Sequence, residues 1–138
     1  MKTILALFFF AFFSTVMYAQ ESTDQDTGTV YLMRDTKSMG ALRNFNVFVD
    51  NEPICKIKNH HYIKTNLGTG LRKFSVQMTG SKAKSDIDHF ELQIEKDKTY
   101  YLKVETPGSV IGSSSFIEIT DHTAEKMIPK LKEQEDCL

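Results

Sequence analysis

The sequence contains no tryptophan and only two cysteines. A core built without tryptophan must draw its bulk from phenylalanine and tyrosine. With so few cysteines, the histidines His60, His61, His89 and His122 lack a cysteine or histidine partner at any usual zinc-ligand spacing. Neither sign of charge dominates: 17 basic against 18 acidic side chains leave a formal net charge of −1. That balance excludes the strongly basic surface that nucleic acid or anionic lipid requires. No Gly-x-Ser-x-Gly elbow surrounds Gly112-Ser113-Ser114-Ser115, so those serines have no recognisable nucleophile context. Internal repeats and signs of a second domain are also missing.

The long apolar run that is present stands at the start. Met1-Lys2 gives a short positive beginning, Ile4 to Phe13 is unbroken and apolar, and Ser14 to Ala19 ends in a small residue. This is the plan of a cleaved signal peptide over residues 1–19, and the run is too short to span a bilayer comfortably. No cysteine follows the expected cut, so the mature protein is expected to be periplasmic or secreted without a lipid anchor. Its removal leaves 16 basic against 18 acidic side chains. About 119 residues then remain, enough for one modest core. Residues 20–27 lack any apolar side chain and are expected to form a flexible leader.

From residue 28 onward the pattern is that of short half-buried strands, whose side chains alternate between two faces. Thr29 to Arg34 is apolar on both parities, which predicts a central strand. Phe45, Val47 and Val49 share one face, leaving Phe48 on the other. Asp50-Asn51 suits a hairpin turn, and Pro53 confines the next strand to an edge. Phe74, Val76 and Met78 are expected to face inward with Lys73, Ser75 and Gln77 outward. Phe90, Leu92 and Ile94 repeat the alternation, with the strand beginning near His89 because two buried carboxylates at Asp86 and Asp88 would be too costly. Tyr100, Leu102 and Val104 face one way. Phe116 to Thr120 makes the last strand, and Asp121 is placed to cap a short helix ended or restarted by Pro129. The expected fold is an all-β antiparallel sandwich of seven or eight strands over residues 28–131, with a short C-terminal helix and a frayed charged tail at 132–138.

Three stretches carry a resemblance: Gly28 to Arg34, Val47 to Ile54 and Asp97 to Val104. On these the chain resembles the bacterial family known as domain of unknown function 2846 (DUF2846), over about residues 28–120. A weaker likeness is to PEGA-type sandwiches. The family's proline-glycine turn before the Phe74 strand appears here as Gly68-Thr69-Gly70, and the lipoprotein cysteine of many members is missing. The resemblance implies an extracytoplasmic β-sandwich, offers no catalytic residues to carry over, and with the PEGA likeness implies a binding or spacer role.

The chemistry-bearing residues form no compelling constellation. His60 and His61 are adjacent, so on a strand they point to opposite faces, and Asp86 and Asp88 lack the remaining oxygens of a calcium loop. Neither metal nor other cofactor is therefore expected. Phe48, Tyr62 and Tyr101 are the expected contact surface, since tyrosine joins an apolar body to a polar tip. Export makes a Cys55–Cys137 disulfide chemically possible, worth about 4 kcal/mol in the chain-entropy model. The expectation nonetheless is a buried Cys55 and a loose Cys137 in the charged tail. Function is expected to be that of a non-catalytic protein- or glycan-interaction module of the cell envelope. The alternative is a small extracytoplasmic hydrolase or metal-dependent enzyme using His60, His61 or Asp86.

Overall fold

The computed structural model describes residues 25–37, 40–85, 88–106 and 114–137. The expected signal peptide, the start of the leader, Asp86 and Gly112-Ser113 lie outside the described residues. The strands are β1 (Thr27–Arg34), β2 (Phe45–Val49), β3 (Glu52–Ile57), β4 (His61–Gly68), β5 (Gly70–Gln77), β6 (Phe90–Ile94), β7 (Thr99–Glu105) and β8 (Ser115–Glu118). Helix α1 (Asp121–Met127), a 3₁₀ turn (Ile128–Lys130) and a two-residue strand β9 (Lys132–Glu133) complete the order. Two sheets form, one ordered β8-β7-β1-β4-β9 and the other β3-β2-β5-β6. The sandwich is mostly antiparallel, but β1 pairs in parallel with β7 and β4 with β9.

Alternation places the core between the sheets. Val30, Leu32, Ile63, Leu102, Val104 and Phe116 from the five-stranded sheet meet Phe45, Val47, Val49, Phe74, Val76 and Ile94 from the other. β1 occupies the middle of its sheet and is covered on both sides. Its other parity carries Tyr31 and Met33, and Met33 packs with Ala124 and Leu131 in a second, smaller cluster beneath α1. The helix is capped by Thr120, whose hydroxyl accepts from the Thr123 amide at 3.3 Å, rather than by Asp121. Asp121 instead opens the first helical turn, where a negative charge is favoured.

Turn chemistry sets the register of the hairpins. Asp50 and Asn51 both take positive φ, 52° and 69°, as the tight turn between β2 and β3 demands. Desolvation raises the Asp50 carboxyl's pKa, but the Lys73 amide and the Arg72 guanidinium outweigh it and hold that carboxyl below the usual range. Pro53 sits on edge strand β3, opposite a register shift after Val47. Gly28 lies where a Cβ would stand 2.7 Å from the Glu95 carbonyl and 3.1 Å from that of Lys98. The start of β1 is thereby allowed to run against the β6–β7 turn, with the Thr29 amide donating to Lys98 at 2.8 Å.

Four expectations need correction. Phe48 is fully buried, and Ser75 and Gln77 on the same outer face are 3% and 5% exposed. Segment 80–85 returns across this face: Gln77 donates to the carbonyls of Gly80 and Lys82, and Asn46 donates to that of Gly80. Met78, just past the end of β5, is 44% exposed rather than inward. The leader yields to order by Asp26, whose carbonyl accepts from the Thr69 amide at 3.0 Å and whose carboxylate pairs with Lys96. Finally, the tail is not frayed. It adds β9 to the sheet, and Cys137 is joined to Cys55 across 82 residues of sequence.

Arg34, at the end of β1, is fully buried without a carboxylate partner among its hydrogen bonds. Its guanidinium donates to the carbonyls of Arg43, Ile57 and Gly40, and lies 3.7 Å from the centre of the Phe45 ring. Burial pulls its pKa down to about 10, which still leaves it charged at neutral pH. The three carbonyls bind one loop and one strand end to β1. Arg34→Ala is expected to lower unfolding free energy by about 3 kcal/mol, because buried acceptors lose a charged donor. Urea unfolding followed by circular dichroism checks it; an unchanged midpoint would show that the carbonyls find other partners.

Candidate functional site

Two neighbouring features stand out on the β4 side of the molecule: an aromatic row on the outer face of the five-stranded sheet, and the tail that closes the sheet edge beside it.

The row is assembled by three strands far apart in sequence. Tyr31 on central β1 lies opposite Tyr101 in the parallel β7 register, and opposite Lys64 in the antiparallel β4 register. Tyr62, two residues before Lys64, reaches Tyr31 diagonally. The Tyr31 ring centre is 5.2 Å from that of Tyr101 in a stacked pair, and 5.9 Å from that of Tyr62 in a tilted one. Lys64 Nζ stands 5.6 Å from the Tyr31 ring centre. All three tyrosines are half-buried and border the small cluster under α1. Desolvation raises the pKa of the Tyr62 phenol, reinforced by Glu133, whose carboxylate accepts from that hydroxyl at 3.0 Å. The Tyr101 phenol is raised by desolvation and then by Tyr31, Asp121 and Glu125.

Of the three residues expected at a contact surface, Tyr62 and Tyr101 are brought into one row. Phe48 belongs to the opposite sheet and is buried, so it leaves the surface. Tyr31, which links the other two, was not anticipated. Its place on the same parity as Met33 was readable, but its neighbours depend on pairing across about 70 residues.

Beside the row, the tail seals two edges at once. The amides of Lys132 and Gln134 donate to the carbonyls of His60 and Tyr62 at 3.0 and 2.9 Å, extending β4. The Gln134 side chain, only 4% exposed, turns to the other sheet. Its amide donates to the Lys56 carbonyl at 2.9 Å, and its carbonyl accepts from the Lys58 amide at 2.9 Å. One side-chain amide thus satisfies the edge of β3 as a residue of a parallel neighbour would. Lys58 pairs with Asp136 at 2.9 Å, and the disulfide locks Cys137 onto β3. A groove of about 430 Å³ opens on the lysine side, between Lys56, Lys58 and Asp136. A second, of about 220 Å³, opens beside Lys64, Glu133 and Glu135.

The histidines are placed elsewhere. His60 sits in the β3–β4 turn at φ 56° with its Nδ1 2.8 Å from Asp35, and His61 Nδ1 is 2.6 Å from the Asn59 carbonyl. Among the described residues, no three His, Cys, Asp or Glu side chains gather as a metal would require. No described helix is long and apolar enough to cross a membrane.

These features define a β-rich, two-sheet domain with a disulfide, consistent with an exported protein. Residues 24–114 match the family described as Protein of unknown function (DUF2846), and the chain belongs to it. The match ends at the entrance to β8, so α1, β9 and Cys137 lie beyond it. Searches of curated proteins and of solved structures return no match.

The electrostatics of the row are open to titration. Raised folded-state phenol pKa values mean that the folded protein holds those protons longer than the unfolded chain. The stability they contribute is present below the ordinary tyrosine value of 10.0 and falls as pH rises through the folded values. Spectrophotometric phenolate titration is expected to show a late-ionising fraction, and Glu133→Gln should move the Tyr62 midpoint down. An unmoved midpoint would mean that Glu133 does not engage the phenol in solution.

Proposed function

We propose that this protein is a non-catalytic contact module of the bacterial cell envelope, periplasmic or secreted without a lipid anchor once residues 1–19 are removed. Its contact surface is the Tyr31, Tyr62 and Tyr101 row, and its partner is another protein. The observation that supports this most is the packing of Tyr31 between its two neighbours, stacked on Tyr101 and tilted against Tyr62. With Tyr101 on one side, Tyr62 on another and Lys64 above, the Tyr31 ring has little free face on which a sugar could lie. The row offers ring edges and phenol tips instead, held at low entropic cost because stacking already restricts the rings. Half-buried tyrosines of this kind supply much of the binding energy at protein interfaces. Lys64 on β4 and Lys103 on β7 flank the row from opposite sides, and with Glu133 at Tyr62 and Asp121 towards Tyr101 they would act as a polar rim that sets orientation.

The test places a photo-crosslinking amino acid at Tyr101 in the full-length protein, expressed in cells and illuminated in the intact envelope. A discrete protein adduct is expected, its yield reduced about tenfold by Tyr31→Ala, with circular dichroism showing the variant folded. Adducts only with glycan, or adducts indifferent to Tyr31→Ala, would sink the reading.

A further inference from the structure

The two sulfurs of the disulfide have different surroundings. Cys55 is 1% exposed and belongs to the main core. Cys137 is half-buried and lines both grooves beside the tail. We propose that this bond is a thiol-exchange site, at which a dithiol protein of the extracytoplasmic space attacks Cys137 and unlatches the strap of residues 132–137 from β3 and β4.

Access and charge select the direction of attack. The nucleophile in such exchange is a thiolate, an anion. The larger groove carries Lys56 and Lys58 against Asp136; Asp136 is paired with Lys58, which leaves the Lys56 ammonium to attract an incoming anion. The smaller groove carries Glu133 and Glu135 against Lys64 and repels one. Attack therefore comes through the lysine side onto the Cys137 sulfur. The expelled group is the Cys55 thiolate, which apolar surroundings would ordinarily disfavour. Gln134 answers that: its Nε2, which donates to the Lys56 and Asp136 carbonyls, lies 3.6 Å from Cys55 Sγ and can turn the hydrogen held by Asp136 to the sulfur as the strap releases and charge develops there.

The step balances without any further reagent. The first partner thiolate forms a mixed disulfide with Cys137 as the Cys55–Cys137 bond breaks, and Cys55 takes up a proton. The partner's second thiolate then attacks its own bonded sulfur, releasing Cys137, which is protonated in turn. The protein gains two electrons and two protons, and the partner leaves as a disulfide.

Once the bond is open, little holds the strap. Its backbone pairs with β4 over a ladder of only two residues, Gln134 makes its contacts to β3, and Tyr62–Glu133 and Lys58–Asp136 are exposed pairs. Of the apolar side chains in the strap, Cys137 packs against the main core, whereas the segment before it is anchored separately through Ala124 of α1 and through Leu131, which follows the 3₁₀ turn. Reduction thus frees the edges of β3 and β4 while the two sheets stay together.

The test uses the full mature protein. Brief exposure to glutathione followed by acid trapping and peptide mass spectrometry is expected to find the adduct on Cys137, at least about tenfold over Cys55. Lys56→Glu should slow that reaction about fivefold. After complete reduction with dithiothreitol, hydrogen exchange at the Lys132 and Gln134 amides should accelerate about a hundredfold while Leu32 and Val47 keep their protection. Cys137→Ser, a permanently unlatched form, should fold and show the same pattern. An adduct on Cys55, a strap that stays protected after reduction, or loss of protection in β1 and β2 in either form would each overturn the proposal.

Discussion

Burial of β1 on both faces is the constraint on which the architecture rests. A strand with Val30 and Leu32 on one side and Tyr31 and Met33 on the other needs cover twice. The second sheet supplies it on the inner side, and α1 with the 3₁₀ turn supplies it on the outer. Seven helical residues extend only about 10 Å, whereas the eight residues of β1 extend about 27 Å. The helix can shield Met33 but not the whole outer face. What remains is apolar enough to need partial shelter and too open to be core, and the tyrosines stacked there meet both conditions.

The tail solves a different problem. A sandwich of two open sheets has edges whose amides and carbonyls invite pairing with other chains. On the β3–β4 side these edges are closed by one short segment, its backbone serving one sheet and the Gln134 side chain the other. The disulfide makes this closure durable, since cross-linking so long a loop costs the unfolded chain about 4 kcal/mol of entropy-derived free energy. That figure is comparable to a large part of the stability of an ordinary domain. Glu133, which belongs to the tail, also contacts Tyr62, so the closure and the aromatic row share one hydrogen bond.

Much of the local structure was legible because it depends on neighbours in sequence. The alternation of Phe90, Leu92 and Ile94, the Asp50-Asn51 turn and the edge position of Pro53 all follow from two-residue periodicity or from backbone sterics. Parity misjudged Phe48 because it assigns a face but cannot say whether other parts of the chain later cover it, and segment 80–85 returns over Asn46 and Gln77 on that face. Met78 failed because the strand ends one residue earlier. The tail was misread because its charge pattern resembles a solvated end, while Lys58, Lys56 and Cys55, the partners of Gln134 and Cys137, lie 76 to 82 positions back in the chain. Of the three tyrosines in the row, Tyr62 and Tyr101 were singled out on chemistry alone; Tyr31 was missed because a parallel pairing of first and seventh strands leaves no local mark.

By itself, the order of residues determined which segments extend, where they turn and which side chains seek an interior, because sterics and hydrophobic alternation act over a few positions. Only the tertiary structure decided which strands lie side by side. That choice turned three separate tyrosines into a row, a glutamine into a seal between two sheets and two distant cysteines into a bond. Register and layer packing are set by the simultaneous burial of many residues, a condition that no short stretch can satisfy alone.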